Sequence, residues 1–190
     1  MPTILTHPAV PLAIAWGLGR EVISTRLLAV GVITSVIPDL DVLAFRLGIP
    51  YAAEFGHRGF SHSLLLALIV AAIGASSVRP LHTTSKRAFW FLLVAPASHG
   101  ILDALTNGGL GIAFLWPFSG ERFFAPFQPI EVAPLGLSRF LSPKGVAVLW
   151  SEILWVWLPF FGAAAIAVAF RRYRALTQRS SGTAQKRAAP

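Results

Sequence analysis

Residues 88–106 read AFWFLLVAPASHGILDALT, an apolar stretch in which His99 and Asp103 lie four positions apart. A helix of about 20 residues, rising about 1.5 Å per residue, spans the hydrocarbon core of a bilayer. The stretch therefore predicts a membrane-embedded helix that carries ionisable side chains. Such a side chain costs roughly 2.5 to 3.5 kcal/mol at the centre of an inserted helix and marks a functional position by default.

The whole chain has the composition of an integral membrane protein. Of its 190 residues, 55% are hydrophobic and 13% are charged, and the mean hydropathy is +0.66. Four or five helices of about 20 residues would use nearly the entire chain, so we expect one membrane-embedded domain over residues 1–170. The sequence contains no cysteine, so disulfides and thiolate metal ligands are excluded within it.

Apolar segments separated by polar or irregular stretches define the predicted fold. The segments are residues 4–19, 22–37, 60–78, 88–106 and 145–170. The first two are weak as complete spans, because they contain Pro11 and Arg26 respectively. Residues 108–143 are rich in Gly, Pro and Phe and predict a long irregular loop or re-entrant cover. We therefore predict an all-α integral membrane bundle of about four to five hydrophobic segments with metal ligands at one end.

The net charge of +8 comes mostly from the C-terminal tail. Six of the sixteen Lys and Arg residues fall in residues 171–190, where no acidic residue occurs. Because this tail follows an apolar segment, we expect a disordered cytoplasmic anchor that faces anionic lipid. The lipid bilayer is thus the predicted partner, and we expect no nucleic-acid binding.

Basic residues also predict the orientation of the chain in the membrane. If loop 79–87 and the tail are cytoplasmic, eleven Lys and Arg residues lie inside and five outside, which satisfies the positive-inside rule. The same topology places the ligand-type residues at the external ends of their segments. We therefore predict a multi-pass membrane protein with a cytoplasmic C-terminal tail and a single site near the external face.

The spacing of the His and Asp residues fits metal coordination. His99 and Asp103 share one face of a helix, so both can bind the same ion. Asp39 and Asp41 follow Pro38, where the chain is expected to leave its helix. Ser61 is the predicted N-cap of the helix that follows it. The predicted metal ligands are His7, Asp39, His57, His62, His99 and Asp103.

Imidazole and carboxylate ligands suit zinc, with manganese or iron as alternatives. The number of candidate ligands exceeds the four of a tetrahedral zinc site, so two ions are possible. Each residue alone has a simpler interpretation as a hydrogen-bonded side chain at a helix end. His82 lies among basic residues in a predicted loop and is expected to be solvated surface. Glu54 is a weak candidate for a supporting role beside His57, and no spacing argument applies to Glu152.

The motifs at these positions resemble a known family. They are Thr6-His7-Pro8, Pro38-Asp39-Leu40-Asp41, His57-Arg58-Gly59-Phe60-Ser61-His62-Ser63, Ser98-His99-Gly100-Ile101-Leu102-Asp103 and Trp116-Pro117-Phe118. Over residues 1–120 by motif, and over the whole chain by size and hydropathy, the sequence resembles the YdjM-type inner-membrane metal-dependent hydrolases of bacteria.

That family is grouped with the zinc-dependent phospholipase C and single-strand nuclease superfamily. The resemblance implies a helical metal site and phosphodiester hydrolysis. It carries the ligand roles over to His7, Asp39, His57 or His62, His99 and Asp103.

The resulting hypothesis is a metal-dependent hydrolase that cleaves a phosphoester of a lipid or lipid-linked substrate. Asp39 or Asp41 would bridge metals or accept the proton, and the Arg58 guanidinium would bind the phosphate. One alternative is a metal or proton transporter in which the same residues form a relay. Another is a scaffold in which metal only staples the helices together. The sequence leaves the substrate, the metal and the oligomeric state open.

Overall fold

The computed structural model describes the backbone of residues 1–134 and 137–187 and the side chains of residues 1–134 and 139–178. Its α-helices are α1 Ala9–Leu18, α2 Thr25–Val36, α3 Leu64–Ser76, α4 Val78–Leu81, α5 Ser85–Ala104, α6 Leu137–Phe140, α7 Pro143–Glu152 and α8 Leu158–Arg187. Over these described ranges the fold contains isolated β-bridges but no named strand. The prediction of an all-α membrane fold is confirmed.

Shorter helical turns extend two of the α-helices. A 3₁₀ helix, Ile37–Leu47, continues α2, and a π-helical turn, Ile153–Trp157, joins α7 to α8. The resulting continuous stretches, Thr25–Leu47 and Pro143–Gln178, are long and apolar enough to cross a membrane. The apolar helices α1 and α3 have 10 and 13 residues, fewer than the roughly 20 that a perpendicular span needs.

Hydroxyl side chains fix the starts of helices α2, α3 and α5. Ser24 accepts the Leu27 amide at the start of α2, and Thr84 accepts an amide at the start of α5. The cap of α3 is Ser63, whose Oγ lies 3.2 Å from the Leu66 amide nitrogen. The prediction that Ser61 caps this helix is wrong, because Ser61 Oγ bonds to a carboxylate oxygen instead. The cap therefore lies two residues later, and His62 precedes the helix.

Helix α5 lies between α2 and α3 and packs against both. Its buried Phe91 and Leu92 rest on glycines of the neighbouring helices, Gly31 of α2 and Gly74 of α3. A side chain at either glycine would overlap the facing residue of α5. Small residues at helix interfaces allow this close backbone approach within a membrane.

Helix α1 packs along α8 through a second interface of small residues. A methyl group at Gly17 would lie 3.4 Å from the Cα of Ala164. Near the other end of α1, the buried residues Ala9, Val10 and Val156 belong to one apolar cluster. This contact holds the N-terminal helix against the long C-terminal helix.

The outer surface of α8 is apolar, as expected for contact with lipid. Ile166 and Phe170 are 73% and 58% exposed, and Trp150 of α7 is 61% exposed. Continuous apolar exposure of this kind marks a membrane or partner surface in a folded protein. The helix then runs on to Arg187, into the basic segment for which the sequence predicted disorder. That segment contains Ala, Arg, Gln and Leu, which are good helix formers.

Replacing Gly31 with alanine is expected to lower the free energy of unfolding by about 1 to 3 kcal/mol, because the new methyl group would overlap the buried ring of Phe91. Gly162→Ala is the matched control, since Gly162 has open space around it and alanine favours the helix. Unfolding in detergent, followed by circular dichroism, measures both. Equal stability losses in the two variants would contradict the tight contact between α2 and α5.

Candidate metal centre

Imidazole and carboxylate side chains from separate parts of the chain converge at one end of the bundle. The converging residues are His7, Asp39, His62, His99 and Asp103, all between 0% and 3% exposed. We call them the five-residue cluster. His7 precedes α1, Asp39 lies in the 3₁₀ helix after α2, and His62 ends the short 3₁₀ turn before α3. His99 and Asp103 lie on α5, as their spacing predicted.

The ligand atoms of the cluster lie close together. His99 Nε2 is 3.0 Å from His62 Nε2 and 3.4 Å from Asp39 Oδ1. His7 Nε2 is 3.6 Å from Asp39 Oδ2 and 3.7 Å from Asp103 Oδ1. His62 Nε2 is 3.4 Å from Asp103 Oδ2. Donors about 2.0 to 2.2 Å from a zinc ion lie about 3.4 Å from each other in a tetrahedron, so these separations suit a shared cation.

Several cluster atoms have no hydrogen-bond partner among the described residues. They are both ring nitrogens of His7, both carboxylate oxygens of Asp39 and both carboxylate oxygens of Asp103. Burying an unpaired carboxylate is strongly unfavourable, and such groups are normally paired or bound to metal. Two triads have ligand atoms within 4.8 Å of one another: His7, His99 and Asp103, and Asp39, His62 and His99. The donor set therefore fits a divalent cation.

Hydrogen bonds orient the histidine rings toward the cluster. His99 Nδ1 donates to the Ser35 carbonyl oxygen at 2.7 Å, which leaves the Nε2 lone pair facing the other ligands. The ring of His7 stacks on that of His99 with centroids 3.5 Å apart and an interplanar angle of 14°. In His62, Nδ1 lies 3.2 Å from Asp41 Oδ2, so its Nε2 faces the cluster.

Asp41 and His57 form an outer network behind His62. Asp41 Oδ1 is 2.5 Å from His57 Nδ1, while Oδ2 accepts the Ser61 hydroxyl at 2.5 Å and the Arg58 amide at 3.0 Å. These bonds occupy the Asp41 carboxylate and lock it against His62. The structure thus places His57 outside the five-residue cluster, and its role as a metal ligand stays a prediction.

Arg58 is fully buried and directed into the protein. Its Nε lies 3.1 Å from Asp103 Oδ2, and its Nη1 donates to the carbonyl oxygens of Gly108 and Leu110. Nη2 donates to Thr106 Oγ1 at 3.0 Å. This arrangement favours a positioning role toward Asp103 over the phosphate-binding role inferred from the sequence. The backbone of Arg58 is left-handed, with φ of 65°, an uncommon conformation for a non-glycine residue that recurs at functional sites.

Glu152 is a residue that sequence reasoning missed. Its carboxylate accepts hydrogen bonds from the amide of Thr3, from the hydroxyl of Thr3 at 2.8 Å and from the hydroxyl of Thr6 at 2.7 Å. Trp157 Nε1 also donates to the Thr6 hydroxyl, at 3.0 Å. Because His7 follows Thr6 directly, Glu152 and Trp157 hold the ligand-bearing N-terminal segment against the C-terminal helix.

A local signal for Glu152 was present in the sequence. It is the sole charged residue of the apolar stretch 145–170, and an ionisable residue within a membrane span is a candidate functional residue. A π-helical turn, Ile153–Trp157, follows it immediately, and such turns recur at functional sites. The turn separates α7 from α8 at the level where Glu152 and Trp157 reach the Thr residues.

The other acidic and histidine candidates lie away from the cluster. His82 is exposed, as predicted for solvated surface. Glu54 accepts a hydrogen bond from Trp116 Nε1 at 3.3 Å. The Lys144 ammonium, in the first turn of α7, bonds to the Glu131 carboxylate in the preceding loop and lowers the pKa of Glu131. These groups belong to the periphery of the fold.

The chain is similar to known proteins over most of its length. Residues 1–176 match the family model described as YdjM inner membrane protein. Inner membrane protein YbcI of Escherichia coli strain K12 is 50% identical over 160 residues, covering 84% of this chain and 92% of that protein. Inner membrane protein YdjM of the same strain is 32% identical over 137 residues, covering 67% of this chain and 64% of that protein.

A more distant relative is the uncharacterized protein YvsG of Bacillus subtilis strain 168, which is 31% identical over 93 residues, or 45% of this chain and 55% of that protein. No solved structure matches the chain. The matched proteins are inner membrane proteins, which supports the predicted inner-membrane location. The relation to the zinc-dependent phospholipase C and nuclease superfamily stays a prediction. The family match includes every residue of the five-residue cluster, and the chain belongs to the YdjM family of inner membrane proteins.

Proposed function

We propose that the protein is a membrane-bound metal-dependent hydrolase that cleaves a phosphoester of a lipid or lipid-linked substrate. The observation that supports this proposal is the convergence of buried His and Asp atoms, most of them without a hydrogen-bond partner among the described residues, at one end of a helical membrane protein. Such donors hold zinc, manganese or iron(II). A bound divalent cation would supply Lewis acidity, which polarises a phosphoryl oxygen and activates water.

The cluster geometry favours one ion. Both triads of ligand atoms include His99, and no triad includes His57 or Asp41. A second ion, as the sequence suggested, would need at least one further ligand, because the two triads share His99. The two-ion hypothesis therefore stays a prediction that metal stoichiometry tests.

Four of the five ligand residues are held by a neighbour outside the cluster, and Asp39 contacts His7 and His99 within it. Arg58 orients Asp103, Asp41 orients His62, and the Ser35 carbonyl orients His99. Glu152 holds the segment before His7. Partners of this kind fix ring tautomers and carboxylate directions, and their removal typically costs 10- to 100-fold in metal affinity. The arrangement is pre-organised for binding an ion.

An apolar cavity of about 470 Å³ leads toward this network and supports a lipid substrate. Its walls include Leu40, Leu47 and Phe55, which are each more than half exposed, and its polar residues are Asp41 and Ser61. A hydrocarbon chain fits such walls. At the polar end, the short contact between Asp41 and His57 provides a pair that can hold or move a proton.

Basic side chains at the other end of the bundle support the proposed orientation. Arg26 donates to the Pro80 carbonyl, and Arg87 donates to the Glu21 carbonyl. These contacts gather the starts of α2 and α5 at one level, whereas Asp39 follows the end of α2 and Asp103 lies in the last turn of α5. By the positive-inside rule, we place the basic end and the tail in the cytoplasm and the cluster near the external face.

A metal-stapled scaffold is the second candidate function. The observation in its favour is the burial of all ligand residues to 3% exposure or less, which resembles a closed structural site. In that case metal removal would unfold the protein, and no substrate would be turned over. The compact cluster at one end gives less support to a relay across the membrane, which needs ionisable residues at several depths.

The metal prediction is tested by elemental analysis of detergent-purified protein. Wild type is expected to retain a stoichiometric divalent cation, and His99→Gln and Asp103→Asn are expected to lose it, because each removes a ligand atom of the cluster. His82→Gln is the matched control, since His82 is exposed and distant. Absence of bound metal in wild type, after purification without chelator and with metal re-supplied, would contradict the site.

The hydrolase prediction is tested with His57→Gln. Because His57 acts through Asp41 outside the cluster, the variant is expected to keep its metal while turnover falls about 10²- to 10⁴-fold and the pH–rate profile changes. The probes are a lipid phosphomonoester, a lipid phosphodiester and a lipid diphosphate. Joint loss of metal and turnover would make His57 a ligand. Wild type that binds metal, unfolds with chelator and cleaves none of the probes would support the scaffold.

The proposed role of Glu152 is tested by metal affinity. Glu152→Gln is expected to weaken binding about 10- to 100-fold, because an amide cannot accept all the hydrogen bonds that hold the segment before His7. Glu131→Gln is the control, since the Glu131 side chain bonds to Lys144 and Asn107 and not to Thr3 or Thr6. Competition titration with a metal-sensitive dye measures both. Wild-type affinity in both Glu152→Gln and Glu152→Leu would refute the positioning role.

A further inference from the structure

A groove lies between the C-terminal end of α1 and the middle of α8, at the end of the bundle opposite the five-residue cluster. Its volume is about 460 Å³. Three arginines line it, Arg20, Arg171 and Arg172, together with Trp16 and small residues of both helices. We call it the arginine groove. Its position makes it independent of the proposed hydrolase site.

The arginine groove carries positive charge without an acidic partner. No Asp or Glu is among its lining residues, and none of its three arginines forms an ion pair within the part of the chain that the structure describes. Arg20 donates to the Thr25 hydroxyl at 3.2 Å, and Arg171 donates to the Trp16 carbonyl at 3.1 Å. Like charges gathered in this way repel, and a bound anion would relieve the repulsion.

The groove is shaped by helix packing and does not depend on a flexible tail. Gly17 brings α1 close to α8, and Gly19 ends α1 with φ of 84°, a conformation that favours glycine. The Arg171 guanidinium lies over Gly19, where a larger residue would collide with it. Arg171 also satisfies a carbonyl group at the C-terminal end of α1, where a cation is favourable. The guanidinium is thus held at the groove.

The apolar side of the groove indicates that the anion belongs to a lipid. Trp16 is 48% exposed beside the groove, and Val168 continues from it onto the lipid-facing surface of α8. Tryptophan is enriched at the level of lipid headgroups. A ligand that satisfies both parts has a phosphate for the guanidinium groups and hydrocarbon chains for the adjoining helix surface.

We propose that the arginine groove binds the headgroup of an anionic phospholipid, with its acyl chains lying along α8. Basic pockets between membrane helices bind anionic headgroups in this way. The interaction would fix the contact between α1 and α8 in the membrane leaflet on the basic side. It would also give the adjoining basic segment a defined lipid contact.

The test is native mass spectrometry of the full chain in neutral detergent, titrated with phosphatidylglycerol or phosphatidylcholine. Wild type is expected to bind phosphatidylglycerol in preference. Arg20→Gln/Arg172→Gln is expected to weaken that binding about 25-fold, at about fivefold per guanidinium. The control is Arg26→Gln/Arg174→Gln, which has the same net charge. Arg26 contacts the Pro80 carbonyl and Arg174 lies over the Phe170 ring, so neither lines the groove.

Retention of phosphatidylglycerol by the control, with loss in the groove variant, would support the proposal. Equal weakening in both variants would overturn it, because net charge alone would then explain binding. Equal binding of phosphatidylcholine would also overturn it. If millimolar inorganic phosphate displaced the lipid completely, the groove would be a phosphate site without lipid specificity. Both groove substitutions are at exposed positions, so we expect the variants to fold. Circular dichroism checks that each variant is folded.

Discussion

The burial of three imidazoles and two carboxylates in contact with one another is the constraint on which the rest of the structure depends. Removing carboxylates from water costs several kcal/mol each unless a cation or hydrogen bonds compensate. Four separate chain segments must therefore meet at one point and remain there. The close packing of α5 on its neighbours and the capped starts of α2, α3 and α5 help to hold these segments together. The fold is thus a helical membrane bundle that holds this cluster at one end.

Around the cluster, polar side chains act mainly on other side chains. Arg58 reaches Asp103, and Asp41 reaches His62. Glu152 acts over a long sequence distance, since it bonds to Thr6 across 146 residues and so ties the end of α7 to the start of the chain. A polar group buried in a membrane protein is costly unless every member of its network is satisfied. The Asp41 and Glu152 carboxylates accept hydrogen bonds at both oxygens, whereas the carboxylate oxygens of Asp39 and Asp103 inside the cluster have no hydrogen-bond partner among the described residues.

Much of the fold and part of the site could be predicted from the sequence. Apolar lengths gave the all-α membrane class, and the spacing of His99 and Asp103 placed both on one helix face, because helical periodicity is local. Helical periodicity could not predict that His62 belongs to the cluster while His57 lies outside it. It depends on the left-handed backbone at Arg58 and on which hydroxyl caps α3. Periodicity also could not predict the hydrogen bonds that Glu152 accepts, because its partners lie in a distant segment.

The central claim is that one divalent cation binds among the histidines and aspartates of the cluster. X-ray absorption spectroscopy of the zinc- or manganese-loaded protein in detergent tests it most directly. The account predicts a first shell of nitrogen and oxygen at about 2.0 to 2.2 Å, with the multiple-scattering pattern of imidazole rings, and loss of imidazole scattering in His99→Gln. A shell of oxygen atoms alone, without imidazole scattering, would contradict the account.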